Sequence, residues 1–419
     1  MKYRTSFPIA AMAAIAAMAA LLALSACSSK NKKADKPAEL TDIKSPTVRV
    51  QRLWGASVGD GGKKLRLGLG LATSGNRLFA AGRDGDVAAF DLKTGKQLWR
   101  VETKLQLAGG TGVGSDVVAV GSGDGQVVVL SADNGAQRWR ADVKGEVLSA
   151  PAVADNQVIV RTVDGKLRAL ALSDGVEVWS AEQQIPKLTL RGAAAPVVTH
   201  DVAISGFDNG RVLAVNLRDG ATVWESPVSP SHGRTELERL NDIDAPVKVA
   251  GDDVFVAGFQ GRAAMLALDS GQIWWTRDLS SYRGVDVDDD QMYISTSEGD
   301  VVALKRRSGV EVWRNDSLKR RSLSAPAVAG DYVAVADLEG YVHWFDRATG
   351  TIAGRVKTGG DRVTNAPLSV DGNVYVITDK GDIVALHGQP IGTRAAKVEP
   401  EPAAPAAPAA EAPAAAPGG

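Results

Sequence analysis

A glycine followed four residues later by a tryptophan recurs along the chain, and no other feature limits the fold so tightly. The pair stands at Gly95/Trp99, Gly135/Trp139, Gly175/Trp179, Gly220/Trp224, Gly271/Trp275 and Gly309/Trp313. After Gly350 the place of the tryptophan is taken by Gly354. A second glycine precedes each anchor by 14 residues, at Gly85, Gly125, Gly165, Gly210, Gly261, Gly299 and Gly340, and an eighth stands at Gly381. Self-similarity at a period of about 40 residues marks a repeat architecture, in which each unit buries its faces against its neighbours. Within a unit, β-branched runs such as "NQVIVRT" and turn sequences such as "VDGK" and "SDG" predict four antiparallel strands joined by hairpins. Sheets of this kind cover one another when packed radially about an axis. Eight glycines and eight anchor positions therefore predict an all-β fold, an eight-bladed β-propeller of four-stranded antiparallel blades. The last unit, "TDKGDIVALHG", has no tryptophan after it, and Trp54 in "VQRLWGAS" has no repeat before it. The two halves complement each other, so an N-terminal strand is expected to close the ring. On this reading the glycine permits a tight turn with positive φ, and the tryptophan staples adjacent blades.

The propeller is expected over 47–392. Ahead of it, Lys2 and Arg4 precede an apolar run from Phe7 to Ala26 that ends in "LSAC". That order predicts a lipoprotein signal peptide over 1–26 and lipidation of Cys27. A membrane span is the alternative for about 20 apolar residues. The run is mostly alanine, however, and the only cysteine of the chain stands where a lipidation motif needs it. Ser28 rather than Asp follows, which by similarity to bacterial lipoproteins implies the outer membrane. Polar, Pro-containing sequence then predicts a flexible tether over 27–46. A Pro/Ala-rich segment over 393–419 is expected to be disordered.

The 48 basic and 49 acidic side chains nearly cancel, which gives no electrostatic reason for a nucleic-acid partner. A single cysteine excludes an intrachain disulfide and a Cys-based zinc site. His200, His232, His343 and His387 show no metal-ligand spacing, and there is no P-loop, G-x-S-x-G or Rossmann fingerprint. "DVDDD", Asp286 to Asp290, lacks the spaced ligands of a calcium loop. No catalytic residue, metal ligand or cofactor is assigned.

Chemistry is instead sought where the repeat is broken. From Trp139 to Pro151 is 12 residues, but Trp179 to Pro196 is 17 and Trp224 to Pro246 is 22. Both insertions fall between the last strand of one blade and the first of the next, and insertions on one face of a repeat protein often mark its binding surface. In "LTLRG", Leu188 and Leu190 alternate around Thr189 beside Arg191, a combination suited to an interface core with an Arg anchor. The competing expectation is that these leucines pack inward. Asp242 and Asp244, in "TELERLNDIDAP", either cap their own loop or meet a basic partner.

"FDLKTGKQLW" and "FDRATGTIAG" resemble the tryptophan-docking repeat of the pyrroloquinoline quinone (PQQ) propellers over about 50–388. Dehydrogenases of that fold carry a neighbouring pair of cysteines over the quinone, and this chain has none after Cys27. The lipoprotein signal, the size and the segments "LTLRG" and "TELERLNDIDAP" together resemble the BamB family of outer membrane protein assembly factors. That resemblance implies a non-enzymatic scaffold of the barrel-assembly machinery. It would dock the periplasmic POTRA domains of a BamA-like subunit through Leu188, Leu190, Arg191, Asp242 and Asp244, and assist unfolded barrel precursors by β-augmentation. The alternatives are a periplasmic PQQ-dependent dehydrogenase and a ligand-binding or sensor propeller.

Overall fold

The computed structural model describes residues 36–62, 65–190, 192–230 and 234–392. The expected signal peptide, Cys27, Arg191, His232 and the Pro/Ala-rich segment lie outside the described residues. The fold is a ring of eight four-stranded antiparallel sheets. Seven blades use consecutive strands, beginning at Ala72, Leu107, Ala152, Val197, Lys248, Val285 and Ala327. The eighth combines Leu368–Val370, Asn373–Ile377 and Asp382–Pro390 with the N-terminal strand Val48–Ser57. Val48 lies opposite Pro390 and Ser57 opposite Asp382, so the ring is closed by pairing the two ends of the domain. First strands of neighbouring blades contact one another around the axis.

Both faces of each sheet are covered, and the middle strands show it. Gln126–Ser131 is "QVVVLS", with Val127 to Leu130 all buried, and no polar residue alternates into that run. The fourth strands are different. Each carries a bulge one residue before its anchor, as between Ala89 and Phe90 where Leu98 is skipped and Trp99 pairs with Ala89. In seven blades the skipped residue turns outward, and Leu98, Val178, Val223, Trp274 and Val312 are accordingly exposed; in blade seven it is Ala353, which stays buried. The bulge re-aims the next side chain sideways, into the adjoining blade.

There the tryptophan meets the glycine of the next repeat. Seven indole Nε1–H groups, of Trp54, Trp99, Trp139, Trp179, Trp224, Trp275 and Trp313, donate to a backbone carbonyl of the following blade at 2.7–3.1 Å. Gly95 has φ 70°, and a Cβ there would stand 2.5 Å from the Trp54 ring. The glycine is thus required twice, by its backbone and by the indole stacked on it. Gly261 departs from the expected turn role. The positive φ is at Gln260, and a Cβ on Gly261 would strike Ser229 of the 228–247 insertion.

The interface between blades seven and eight lacks a tryptophan at the anchor. Gly354 pairs with Trp344, which sits on the neighbouring strand and is wholly buried. In the other seven blades the anchor is the large partner, as in Trp99 opposite Ala89 and Trp313 opposite Ala303. Here the sizes are exchanged. The indole of Trp344 lies against Gly388 of blade eight, and the space at Gly354 is filled by Val48.

The expected flexible tether is not free from Lys36 onward. Ala38 N–H donates to Lys319 O (2.9 Å), Arg321 Nη1 to Ala38 O (2.9 Å), Arg355 Nη1 to Thr41 O (3.1 Å) and Thr47 N–H to Ala353 O (2.9 Å). Leu40 packs against the cluster of Trp313, Leu318 and Phe345. Composition suggested a tether because the segment is polar, but one leucine and two fixed guanidinium groups suffice to hold it.

Candidate docking face

Strand order places the insertions. A fourth strand ends on the face where the next first strand begins, so the connections 183–196 and 228–247 open on one face of the ring. The tight turn bearing Lys93 and Lys96, between third and fourth strands, lies on the other.

Leu188 is 43% exposed and Leu190 is half-buried, and neither joins the buried core. Leu190 stands at the mouth of an axial funnel of about 700 Å³, whose wall includes Leu67, Leu148, Phe259, Tyr282 and Leu368. The second insertion supports the first from beneath. Asp242 Oδ2 accepts the Leu190 N–H, and Gly192 passes so close to Asp244 that a Cβ would lie 2.7 Å from its Oδ2. Asp242 is wholly buried, so in this structure its carboxylate braces the adjacent loop from within. Asp244 is half-buried at the funnel wall.

Two further residues complete this brace. Asp208, from the turn between the second and third strands of blade four, and Arg161, from blade three, are 3% and 1% exposed. Arg161 Nη2 lies 3.6 Å from Asp208 Oδ2, and its guanidinium sits 4.2 Å over the Phe207 ring. Oxygens of Asp208, Asp242 and Asp244 lie within 4.8 Å of one another. One guanidinium faces three carboxyl groups, so their acidities separate. Burial pushes Asp242 up to about 6, opposed by the Leu190 amide. Burial, then the nearby Asp208 and Asp242, push Asp244 up to about 8. Asp208 is raised by burial against the pull of Arg161. The spacing is that of a cation site, but Arg161 already supplies the positive charge, and the cluster acts as an internal joint between two loops.

The second insertion is itself firmly stitched. Asn241 Nδ2 donates to Ser229 O, Ile243 N–H to Phe207 O (3.2 Å) and Phe259 N–H to Asp242 O (2.9 Å). Its own Leu240 and Ile243 are buried. Its outer part is a single turn with a capping box: Glu238 N–H donates to Thr235 Oγ1 (3.2 Å), and Thr235 N–H to Glu238 Oε2 (3.2 Å). That turn raises Leu237 to 65% exposure. Sequence reasoning passed over Leu237, although Thr235-x-x-Glu238 is a readable signal for a turn with its second residue outward. Arg161 and Asp208 carry no such signal, since only the packing of blades three and four brings them to the loops.

The three described histidines each bond a neighbouring side chain. His343 is wholly buried, its Nδ1 accepting from Arg355 Nε (3.1 Å) and its Nε2–H donating to Asp337 Oδ2 (3.0 Å). Both ring nitrogens are engaged, leaving none to move a substrate proton. His200 and His387 bond Thr199 Oγ1 (3.1 Å) and Asn373 Oδ1 (2.9 Å).

Blades docked by tryptophans, with the irregular sequence gathered into two linked loops on one face, define a PQQ-like propeller whose distinctive residues sit in connections between blades. The family model described as "Outer membrane protein assembly factor BamB" matches residues 51–101, 83–315 and 297–417. The chain belongs to the BamB family. It is 50% identical over 355 residues to the outer membrane protein assembly factor BamB of Pseudomonas aeruginosa, covering 85% of this chain and 93% of that protein. It is 48% identical to the protein of the same name from Alkalilimnicola ehrlichii, over 83% of this chain and 91% of the relative. Among solved structures, BamB from Moraxella catarrhalis matches with a TM-score of 0.75 at 26% identity, over 81% of this chain and 100% of that one. A quinohemoprotein alcohol dehydrogenase from Comamonas testosteroni, with a TM-score of 0.64 at 13% identity over 80% of this chain and 76% of that one, shares the fold alone.

Proposed function

We propose that the chain is a non-enzymatic scaffold lipoprotein of the outer-membrane β-barrel assembly machinery, docking the periplasmic POTRA domains of a BamA-like subunit through its two linked loops. The observation that carries this reading is the junction of Leu190 with Asp242, which fixes Leu188 and Leu190 on the face that also raises Leu237. An apolar set held rigidly on a braced loop suits a hot spot, since little entropy remains to be lost on binding. Arg191 is proposed as its charged anchor. Cys27 is proposed as the acylated residue that holds the propeller at the periplasmic side of the outer membrane. The outer edges of the fourth strands, with exposed residues such as Val178 and Val223, offer backbone groups to unfolded barrel precursors.

The test is co-purification from membranes. Leu190→Ala with Arg191→Ala is expected to weaken association with the BamA-like subunit at least about tenfold, since a hot spot contributes about 2 kcal/mol and about 1.4 kcal/mol is a decade. Lys93→Ala with Lys96→Ala, on the opposite face, is the control and is expected to change nothing. A folded loop variant that still binds at full strength overturns the assigned surface. Quinone absorbance in the purified protein, with PQQ-dependent alcohol oxidation, would favour the dehydrogenase reading instead.

A further inference from the structure

We infer that the segment from Lys36 to Thr47 is a strap that delivers the acylated N-terminus to the docking face at blades six and seven, so that this rim is the part of the propeller next to the lipid surface. The inference rests on the reading of Cys27 as the lipid attachment point and adds an orientation to it.

The strap runs from one face of the ring to the other. Its upper end, Ala38, bonds Lys319 O and Arg321 Nη1. Both partners belong to the connection between the fourth strand of blade six and the first strand of blade seven, which opens on the docking face. Its lower end, Thr47, bonds Ala353, at the start of the fourth strand of blade seven and therefore near the opposite face. From there the chain turns back upward as Val48–Ser57.

The groups that hold the strap are themselves fixed. Arg321 is 3% exposed, and its remaining nitrogens bond Asp337 Oδ2 (2.7 Å) and Glu339 Oε2 (2.5 Å). Arg355 is held by His343, which is held in turn by Asp337. Two guanidinium groups rooted in a buried network thus present donors to the carbonyls of Ala38 and Thr41, and Leu40 fills the apolar seat between them. A strap so held spends no rotamer freedom of its receptor on docking.

Chain length decides what this does to the anchor. From Cys27 to Lys36 is nine residues, which extend to roughly 30 Å at most. Were the chain free up to Thr47, 20 residues would extend to roughly 70 Å, long enough to present either face to the bilayer. The strap removes the longer reach and leaves the shorter one starting from the docking face.

Full-length acylated protein in vesicles of phosphatidylethanolamine and phosphatidylglycerol tests the assignment. Acylation consumes the Cys27 thiol, so an introduced cysteine is the single labelling site. A fluorophore is placed at Glu298→Cys, on the docking face of blade six, or at Ser308→Cys, on its opposite face, and quenched by headgroup-spin-labelled lipid. The Glu298 site is expected to be quenched at least about twofold more strongly, given a reach of roughly 30 Å. Equal or reversed quenching overturns the inference. Ala38→Pro with Leu40→Asp removes a strap donor and the apolar seat without touching a strand, and is expected to bring the two sites to parity. Asymmetry that survives in that variant, with the ring intact by circular dichroism, also overturns it. Protein that fails to float with the vesicles defeats the anchoring reading itself, an outcome that the quenching ratio does not imitate.

Discussion

The Asp242 carboxylate accepts the Leu190 amide from a fully buried position, and this separates the outcomes of two substitutions. Asp242→Asn keeps an oxygen acceptor and is expected to leave partner binding within about threefold of the original, less than one decade. Asp242→Ala leaves the part-buried Leu190 N–H without its acceptor, costs about 1–3 kcal/mol, and frees the 188–190 loop from its support. Thermal unfolding and co-purification on the same samples distinguish the two. The carboxyl cluster also makes stability depend on pH. Asp242 and Asp244 are pushed up to about 6 and about 8, above their unfolded values, so the native state holds more protons between about pH 4 and pH 8. Stability is therefore greatest at the acidic end and falls as pH rises, by up to roughly 1.4 kcal/mol per pH unit for each group, Asp242 contributing up to about pH 6 and Asp244 up to about pH 8. Asp244→Asn is expected to flatten the upper part of this curve and to raise the melting temperature at pH 8. A melting temperature unchanged in that variant, measured from pH 5 to pH 8, would remove the cluster from the account. Leu188 and Leu190 were legible in the sequence because an insertion breaks a regular spacing. The brace under them was not, because Arg161 and Asp208 lie inside ordinary repeats and acquire their role only when two blades meet.

At the scale of the strand, the bulge before each anchor converts a residue that would lie along the sheet into one that crosses to the next blade. Blade seven reaches the same filling with the sizes exchanged, Trp344 opposite Gly354. This predicts a result contrary to the consensus of the repeats. Gly354→Trp restores the common motif, yet a Cβ at that position already falls 2.6 Å from Val48 Cγ1. The variant is expected to lose about 1–3 kcal/mol by overpacking. Trp344→Ala is expected to cost about 3–5 kcal/mol, as a cavity at a fully buried indole. Denaturant unfolding of both variants checks the pair, and a stabilised Gly354→Trp protein would show that the exchange is not what fills this interface. The repeat made the blade number, the ring closure and seven staples readable, because glycine and tryptophan spacing is written along one strand. The eighth staple was hidden because its tryptophan sits on the neighbouring strand, where spacing along the sequence does not point. The strap was hidden for a related reason, since Leu40 has no periodic partner in its own segment.

At the scale of the whole molecule, two predictions concern the N-terminal end. Cys27→Ala is expected to abolish acyl labelling and leave the protein unprocessed before residue 27, which mass spectrometry of the mature chain reads directly. Deletion of Val50 to Ala56 removes most of the strand that closes blade eight, with Trp54 and its bond to Leu92 O. That loss is expected to rival a total stability of about 5–15 kcal/mol, and an unchanged melting temperature would contradict the closure. The same pairing has a consequence in time. A chain synthesised N-terminus first delivers Val48–Ser57 long before Asp382–Pro390, its only strand partner in the sheet. Local hairpins complete within each blade as it emerges, while this contact waits for the last strand and bears the entropy of closing the largest loop in the domain. Until then one edge of the nascent ring stays open, and a chain cut short before Asp382 lacks the strand that Val48–Ser57 pairs with and keeps it open. The closing strand thus acts as a proofreading step for length, since only a chain carried through to its final repeat can shield its first.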